Sequence, residues 1–449
     1  MMHRITISEP LSCCGCNMDF GKRKKGEDMS TDKPWDVSYE WKAMLVMSLA
    51  FGLVGIDRFI LPPLFPAMMG DLHLTYQDLG NLVGALAVAW GASAFFTGLL
   101  SDHLGRRTIM IPSVVIFSLL SVLSGMATGL VSLLFIRVIM GVFEGPVAST
   151  GVAVAVEASH PRRRGMNNGI FQCTVSLFGS GVGPILATQL LLITTWRHVF
   201  WIVGLPGLII AAILWFVIRE PATLAAQRGG AVVARGSLWT LFRHRNVPLA
   251  MLTLLCAMTG IFVLSAMVPN YLTDYVKLSQ TQMGIVTSAI GFGGALGQFG
   301  LLTLSDFIGR RISTVLSFII ASIFLWLFIH AGASLPVLFG LLFVASMFNF
   351  GALAILAGPI PAEAAPPGLV ATAAGLVIGA GEIFGGGAAP SIAGGIAQHS
   401  GIQYTLYFAL AGQLLGLVIA LFLRETAPRR MRNAPPEHVS VLDRAPNVS

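Results

Sequence analysis

Twelve stretches of the sequence, each between 20 and 29 residues long, carry almost no charge. An α-helix needs about 20 residues to cross the ~30 Å hydrocarbon core of a bilayer. Only 11% of all residues are charged and 55% are hydrophobic, whereas soluble domains carry about 25% charged residues. The sequence therefore predicts an all-α, polytopic membrane protein with 12 transmembrane helices. The expected spans are 43–66, 79–100, 108–127, 131–157, 167–192, 197–218, 248–272, 283–304, 312–331, 335–358, 369–397 and 404–423.

The distribution of basic residues supports this number of spans. If both termini are cytoplasmic, nearly all of the 28 Lys and Arg residues fall in the tails and in alternate loops, as the positive-inside rule requires. Arg197 and Lys277 fall on the other side, and Arg58 and Arg137 lie within spans. The net charge of +7 thus reflects topology. The sequence contains no basic stretch interleaved with aromatic residues, which is the pattern that would indicate a nucleic-acid partner.

An internal repeat divides the chain into two halves. The loop sequence SDHLGRR at 101–107 returns as SDFIGRR at 305–311, and GSGVGP at 179–184 returns as GGGAAP at 385–390, with offsets of 204 and 206 positions. Such repeats indicate a duplicated six-helix unit. We expect a cytoplasmic, disordered N-terminal tail at 1–42, six-helix bundles at 43–218 and 248–423, a cytoplasmic linker at 219–247 and a cytoplasmic C-terminal tail at 424–449.

The stretch GLLSDHLGRR at 98–107 resembles the loop signature of the major facilitator superfamily. The resemblance implies two six-helix bundles in the major facilitator fold and a loop that latches neighbouring helices in one conformation. In the second copy Leu302 replaces the leading glycine. The implied latch residues are Gly98, Asp102, Gly105, Arg106 and Arg107, with Asp306, Gly309 and Arg310 in the second copy.

Four charged residues lie deep inside the first and fourth spans, away from the span ends. Asp57 and Arg58 are in the first, and Arg137 and Glu144 are in the fourth. A charge at the bilayer centre costs at least ~2.5–3.5 kcal/mol, so it normally faces a cavity and has a partner. Arg137 and Glu144 share one face of their helix because they are nearly two turns apart. We expect all four side chains to meet in one water-accessible pocket, as a structural ion quartet or as a functional site.

The functional interpretation combines proton coupling with anion capture. Burial favours the neutral form of a carboxylic acid and a nearby guanidinium favours the charged form, so a moving carboxylate can load and release a proton. A guanidinium also offers a two-point grip on a substrate carboxylate. Asp-Arg in the first span followed by Arg-x-x-x-Gly-x-x-Glu in the fourth resembles the anion:cation symporter family, and is also similar to Spinster-like transporters. The resemblance implies that Asp57 and Glu144 carry protons, while Arg58 and Arg137 bind the anion.

Neutral and acidic side chains in other spans are further candidates for the substrate site. They are Gln172, Asn270, Asn349 and Glu382. Interhelical hydrogen bonding explains the neutral ones equally well. The stretch Gly179-x-x-x-Gly183-Pro184 resembles a motif of proton-coupled exporters, and close helix packing is the alternative explanation.

The sequence lacks the motifs of common enzymes and the phosphate-binding loop of ATP-driven pumps, and its cysteines do not have the spacing of a metal site. We therefore expect a secondary carrier and not an enzyme, monomeric, without cofactor or metal, in a bacterial inner membrane. Its partners are then protons, the lipid bilayer and a small-molecule substrate. The favoured function is proton-coupled symport of a small organic anion, such as a sugar acid or other carboxylate. The alternative is proton-driven efflux of a hydrophobic or cationic compound.

Overall fold

The computed structural model describes residues 36–160, 163–219, 238–366 and 369–427, except for the side chains of residues 95, 98–104, 238, 239, 370 and 371. Most of the two predicted tails and much of the predicted linker lie outside these residues, so their expected disorder stays a prediction. The first helix begins at Val37, a few residues before the expected start of the first bundle.

Twelve long helices follow one another within the described residues, where no strand occurs. The first six are α1 (Val37–Leu72), α2 (Tyr76–Leu104), α3 (Arg106–Ser124), α4 (Leu130–Ala158), α5 (Arg164–Leu191) and α6 (Trp196–Val217). The others are α7 (Asn246–Tyr275), α8 (Gln280–Ile308), α9 (Arg310–Ile329), α10 (Leu335–Ala364), α11 (Thr372–Ser400) and α12 (Gln403–Ala420). A short helix, Leu238–Arg243, precedes α7. The predicted all-α fold with twelve spans is confirmed.

Length and composition explain why these helices suit a membrane. In the described part of the chain, 11 helices are long and apolar enough to cross one. The remaining helix, α2, has 29 residues, which is about 43 Å of helix, and it packs along α4 and α11. Large apolar side chains such as Phe135 and Phe216 point outward and are 67% and 85% exposed. A lipid environment accepts this surface, while each helix satisfies its own backbone hydrogen bonds.

Two helices at equivalent positions of the repeat contain π-helical segments. In α5 the segment is Val175–Val182, and in α11 it is Gly381–Ala388. The first carries two glycines and the second four, and a proline lies two residues after the end of each. Such segments widen a helix locally and occur frequently at functional sites.

The two halves meet through α2 against α11 and through α5 against α8. Glycines allow these contacts, because a side chain at Gly80 would collide with the Pro390 carbonyl and one at Gly291 would collide with the backbone of Gly181. We call the face where α1 begins and α12 ends the termini face, and the other the opposite face. On the opposite face the Tyr76 hydroxyl of α2 donates a 2.6 Å hydrogen bond to Asp274 of α7, which joins the two halves there.

Candidate functional site

A cavity of about 270 Å³ lies between the two halves. Its walls come from α1, α2, α4 and α5 of the first half and from α7, α8, α10 and α11 of the second. Most lining residues belong to the parts of these helices that are nearer the termini face. Arg58 of α1 and Glu382 of α11 both line it.

Arg58 and Glu382 form an ion pair across the two halves. The Arg58 Nη2 atom donates to Glu382 Oε2 at 2.5 Å, and both side chains are less than 10% exposed. The Arg58 guanidinium also lies 4.9 Å from the Trp90 ring centroid and 4.7 Å from that of Phe262, which is within the range of cation–π attraction. Trp90 belongs to the first half and Phe262 to the second, so aromatic rings from both halves hold the guanidinium.

Asp57 points away from this cavity, although it is the neighbour of Arg58. Its Oδ1 atom accepts a 2.6 Å hydrogen bond from the Ser121 hydroxyl of α3, and its backbone carbonyl accepts one of 3.0 Å from Arg137 Nη1 of α4. Asp57 and Arg137 are 1% and 2% exposed. Arg137 therefore binds the backbone of α1 rather than an acid, and it ties α4 to α1 behind the cavity wall.

Glu144 is completely buried in α4, nearly two turns along the same face from Arg137. Neither of its carboxylate oxygens has a hydrogen-bond partner among the described residues. It lies within electrostatic range of Asp57, Arg58 and Arg137. A buried carboxylate without hydrogen bonds is costly when charged.

The expectation that four charges line one pocket needs a correction. Arg58 lines the cavity, whereas Asp57, Arg137 and Glu144 do not. Arg137 instead shares a second, much smaller cavity of about 10 Å³ with Arg58, behind the wall. The reason is the direction of the side chains on α1, because consecutive residues of a helix point about 100° apart. The carboxylate that meets Arg58 comes instead from the second half, as Glu382.

The neutral candidates also divide into two groups. Gln172 of α5 lines the cavity, as does Gln298 of α8, whose Oε1 accepts a 3.0 Å hydrogen bond from Ser176. Asn270 and Asn349 do not line it, and they are buried within the second half with 0% and 2% exposure. Asn349 lies beside Gly260 of α7. In this conformation both asparagines are therefore packed between helices, away from the cavity.

These two π-helical segments supply cavity residues from both halves. Ser176 lies in the segment of α5 and Glu382 in that of α11, and these positions are equivalent in the repeat. The π geometry turns the following residues out of the ordinary helical register. Glu382 was identifiable from sequence because it is a charged residue within a span. The π-helical segment and the aromatic partners of Arg58 were not identifiable in this way.

The Gly179-x-x-x-Gly183-Pro184 stretch lies in and just after the π segment of α5. A side chain at Gly179 would collide with the backbone of Gly55 in α1. Here the first glycine allows close packing of two helices of the same half.

On the termini face, the two copies of the loop signature adopt the same local conformation. Gly105 has φ 100° and Gly309 has φ 109°, a region that residues with a side chain rarely occupy. This explains the glycine that both copies share. Gly98 and Asp102 lie in the last turns of α2, where the structure describes no side chains.

The basic residues of both copies bind acids of neighbouring helices. Arg106 Nη2 contacts Glu157 of α4 at 3.0 Å. Arg310 contacts Asp306 at 2.5 Å and Glu363, at the end of α10, at 3.1 Å. The Arg107 guanidinium lies 4.2 Å from the Trp215 ring centroid, a cation–π contact with α6.

The chain also resembles known proteins along most of its length. Residues 47–275 and 250–446 each match the family model of the Major Facilitator Superfamily. A protein described as a probable 4-methylmuconolactone transporter of Cupriavidus pinatubonensis is 26% identical over 388 residues, which is 84% of this chain and 88% of that protein. The hexuronate transporter of Bacillus subtilis is 25% identical over 275 residues, which is 60% of this chain and 65% of that one.

A solved structure has the same fold. It is a bacterial homologue of the human lysosomal transporter Spinster, in an inward-facing and occupied conformation. Its TM-score is 0.70 at 18% identity, and the match covers 85% of this chain and 96% of that one. Because the family model matches both halves, the chain belongs to the Major Facilitator Superfamily, a family of membrane transporters and not of enzymes.

Proposed function

We propose that the protein is a secondary transporter that carries a small organic anion together with protons. The observation that carries this proposal is Arg58, a buried guanidinium on the wall of the cavity between the halves. A guanidinium in such a place offers paired donors to a carboxylate. An organic acid as the substrate is also supported by two relatives, which are named as a probable 4-methylmuconolactone transporter and a hexuronate transporter.

In the binding step, the substrate carboxylate replaces Glu382 as the partner of Arg58. The Arg58–Glu382 ion pair already joins the halves at 2.5 Å, so an incoming anion competes with an internal one. The exchange of one carboxylate for another leaves the guanidinium paired throughout, which avoids the high cost of a buried, uncompensated charge.

Proton coupling follows from what happens to the Glu382 carboxylate once the substrate has displaced it from Arg58. Glu382 without Arg58 is surrounded by apolar walls, and such surroundings favour the protonated acid. Binding one anion then promotes uptake of one proton, and the net charge of the cavity is unchanged. Asp57 and Glu144 are the proposed further proton carriers, because both are buried beside Arg137 and Glu144 has no hydrogen-bond partner in the described part of the chain.

Transport requires the cavity to open alternately on the two faces. The cavity walls lie toward the termini face, and the opposite face is held by the Tyr76–Asp274 hydrogen bond and by the close packing of α2 on α11. Arginines on the termini face, such as Arg106, Arg107, Arg310 and Arg311, support a cytoplasmic location of that face. We therefore propose that this conformation is inward-facing. We also propose, as the sequence predicts, that the protein is a monomer in a bacterial inner membrane.

Efflux of cationic compounds is less compatible with this site. A cationic substrate would lie beside Arg58, and like charges in a site of low dielectric constant repel strongly. Its only acidic partner on the described cavity wall, Glu382, is already occupied by Arg58.

The test is an assay of proton flux in proteoliposomes. Addition of an organic anion outside the vesicles should make the external solution more alkaline, and an imposed inward proton gradient should concentrate the anion. Because Asp57 is a proposed further proton carrier, Asp57→Asn should lower gradient-driven uptake while partly retaining exchange of anions. Anion-independent proton flux, or export of a cationic dye against the proton gradient, would contradict the proposal.

A further inference from the structure

The walls of the cavity are dominated by rings and aliphatic side chains. Around Arg58, the walls are aromatic on both sides, and the apolar character continues toward the termini face. The residues that make up these walls include Phe51, Phe59, Trp90, Ile261, Phe262 and Phe350. A ligand that fills this volume must place most of its surface against carbon atoms, which favours an apolar body.

The polar side chains on the wall are few and mostly engaged with the protein itself. The Ser176 hydroxyl donates to Gln298. The Ser149 hydroxyl lies 3.4 and 3.5 Å from backbone carbonyls of its own helix. Two polar groups of the described lining make none of the hydrogen bonds found in the structure, the Gln172 amide and the buried Nε1 of Trp90. A substrate with many hydroxyl groups would give up its hydrogen bonds to water here and find few replacements, which is costly for each group.

From these two observations, and resting on the proposed anion transport, we infer that the substrate is a monocarboxylate with an apolar ring. A benzoate-type or phenylpropionate-type acid meets this description, and a polyhydroxylated sugar acid does not. Its carboxylate pairs with Arg58, and its ring packs between Trp90 and the apolar side chains of α7. The aromatic rings beside Arg58 offer edge and face contacts to a second ring.

The position of Gln172 adds a second recognition point. Gly55 of α1 packs on Val175 and Gly179 of α5, which aligns the two helices. Counting along each helix from this contact, Arg58 and Gln172 are roughly 10 Å apart along the membrane normal at ~1.5 Å per residue. A hydroxyl or carbonyl group on the ring, remote from the carboxylate, can therefore bind Gln172 while the carboxylate binds Arg58.

The test compares two acids of equal charge with the purified full-length protein. Isothermal titration at pH 7 should give 4-hydroxybenzoate a Kd at least about tenfold lower than that of D-glucuronate. Ile261→Gln places a polar group on the apolar wall and should narrow this ratio. Ile193→Gln, at a position that is 81% exposed outside the cavity, should leave the ratio unchanged. The comparison in the wild-type protein needs no variant and is independent of any folding defect.

The outcomes separate the substrate class from the transport function. Tighter binding of D-glucuronate that is lost in Arg58→Gln would overturn the ring-containing substrate and leave anion transport at Arg58 in place. Binding of either acid that is unaffected by Arg58→Gln would overturn both proposals. Preference for 4-hydroxybenzoate, lost together with binding in Arg58→Gln, is the expected result.

Discussion

Arg58 of the first half and Glu382 of the second half form a 2.5 Å ion pair in the wall of the central cavity. Both side chains are buried, and aromatic rings from both halves flank the guanidinium. An ion pair in this place has two roles. It links the two halves, and it occupies the group that an anionic substrate needs.

The Glu382→Gln variant tests the second role through transport. Because a neutral amide cannot take up a proton, we expect uptake driven by a proton gradient to fall by at least about tenfold, while anion exchange across the membrane continues. Radiolabelled uptake and counterflow in the same proteoliposomes measure the two activities. Asp71→Asn is the matched control, because Asp71 bonds Trp196 away from the cavity. Equal loss of uptake and exchange would assign Glu382 to binding or folding instead.

Glu144 offers a prediction about stability. Its carboxylate is fully buried and without hydrogen-bond partners among the described residues, so a charged form would be strongly destabilised there. Glu144→Gln mimics the protonated acid in shape, and we expect Tm in detergent to stay equal or to rise by a few degrees. Thermal unfolding followed by size-exclusion chromatography measures this. A large decrease in Tm would mean that the carboxylate is ionised and paired.

The glycine of the second loop copy is predicted to be essential for local geometry. Gly309 has φ 109°, and a side chain there would also collide with the Glu425 carboxylate. Gly309→Ala should therefore destabilise the fold by about 1–3 kcal/mol. Gly340→Ala, at an open position within α10, should be neutral or stabilising because alanine favours helix. Equal Tm values for the two variants would contradict the strained conformation.

The opposite face should open more readily in Tyr76→Phe. This variant removes the 2.6 Å hydrogen bond from Tyr76 to Asp274, and hydrogen bonds to charged groups contribute about 1.5–3 kcal/mol. We expect the ratio of outward-open to inward-open protein to rise by about 10-fold or more. Distances between spin labels on the ends of α2 and α11 report this ratio. Tyr275→Phe is the control, because Tyr275 is 54% exposed. An unchanged distance distribution would show that the bond does not close this face.

Much of the fold was predictable from sequence because a bilayer leaves few choices. Runs of apolar residues, the alternation of basic loops and the repeat with its shared glycines fixed the number and direction of the helices. The ends of the helices differ from the expected spans by a few residues only. Gly105 and Gly309 were predictable as a pair, since a loop copied twice preserves the position that needs positive φ.

The partners of the buried charges were not predictable to the same degree. Asp57 and Arg58 are adjacent in sequence, yet one bonds Ser121 in α3 and the other bonds Glu382 in α11. Which acid meets which base depends on the rotation of each helix and on the π-helical turn that carries Glu382, and a hydropathy pattern does not encode either. The same limit applies to Asn349, whose polarity suggested the cavity but which packs beside Gly260.

The most direct test of the account is a double-mutant cycle for anion binding at Arg58 and Glu382. Titration calorimetry gives Kd for the wild type, Glu382→Gln, Arg58→Gln and the double variant. For variants that bind weakly, displacement titrations with the anion at millimolar concentration give Kd instead. If the substrate and Glu382 compete for Arg58, Glu382→Gln lowers Kd by about tenfold in the wild-type background and leaves it unchanged in the Arg58→Gln background. An effect of equal size in both backgrounds would contradict competition for this guanidinium.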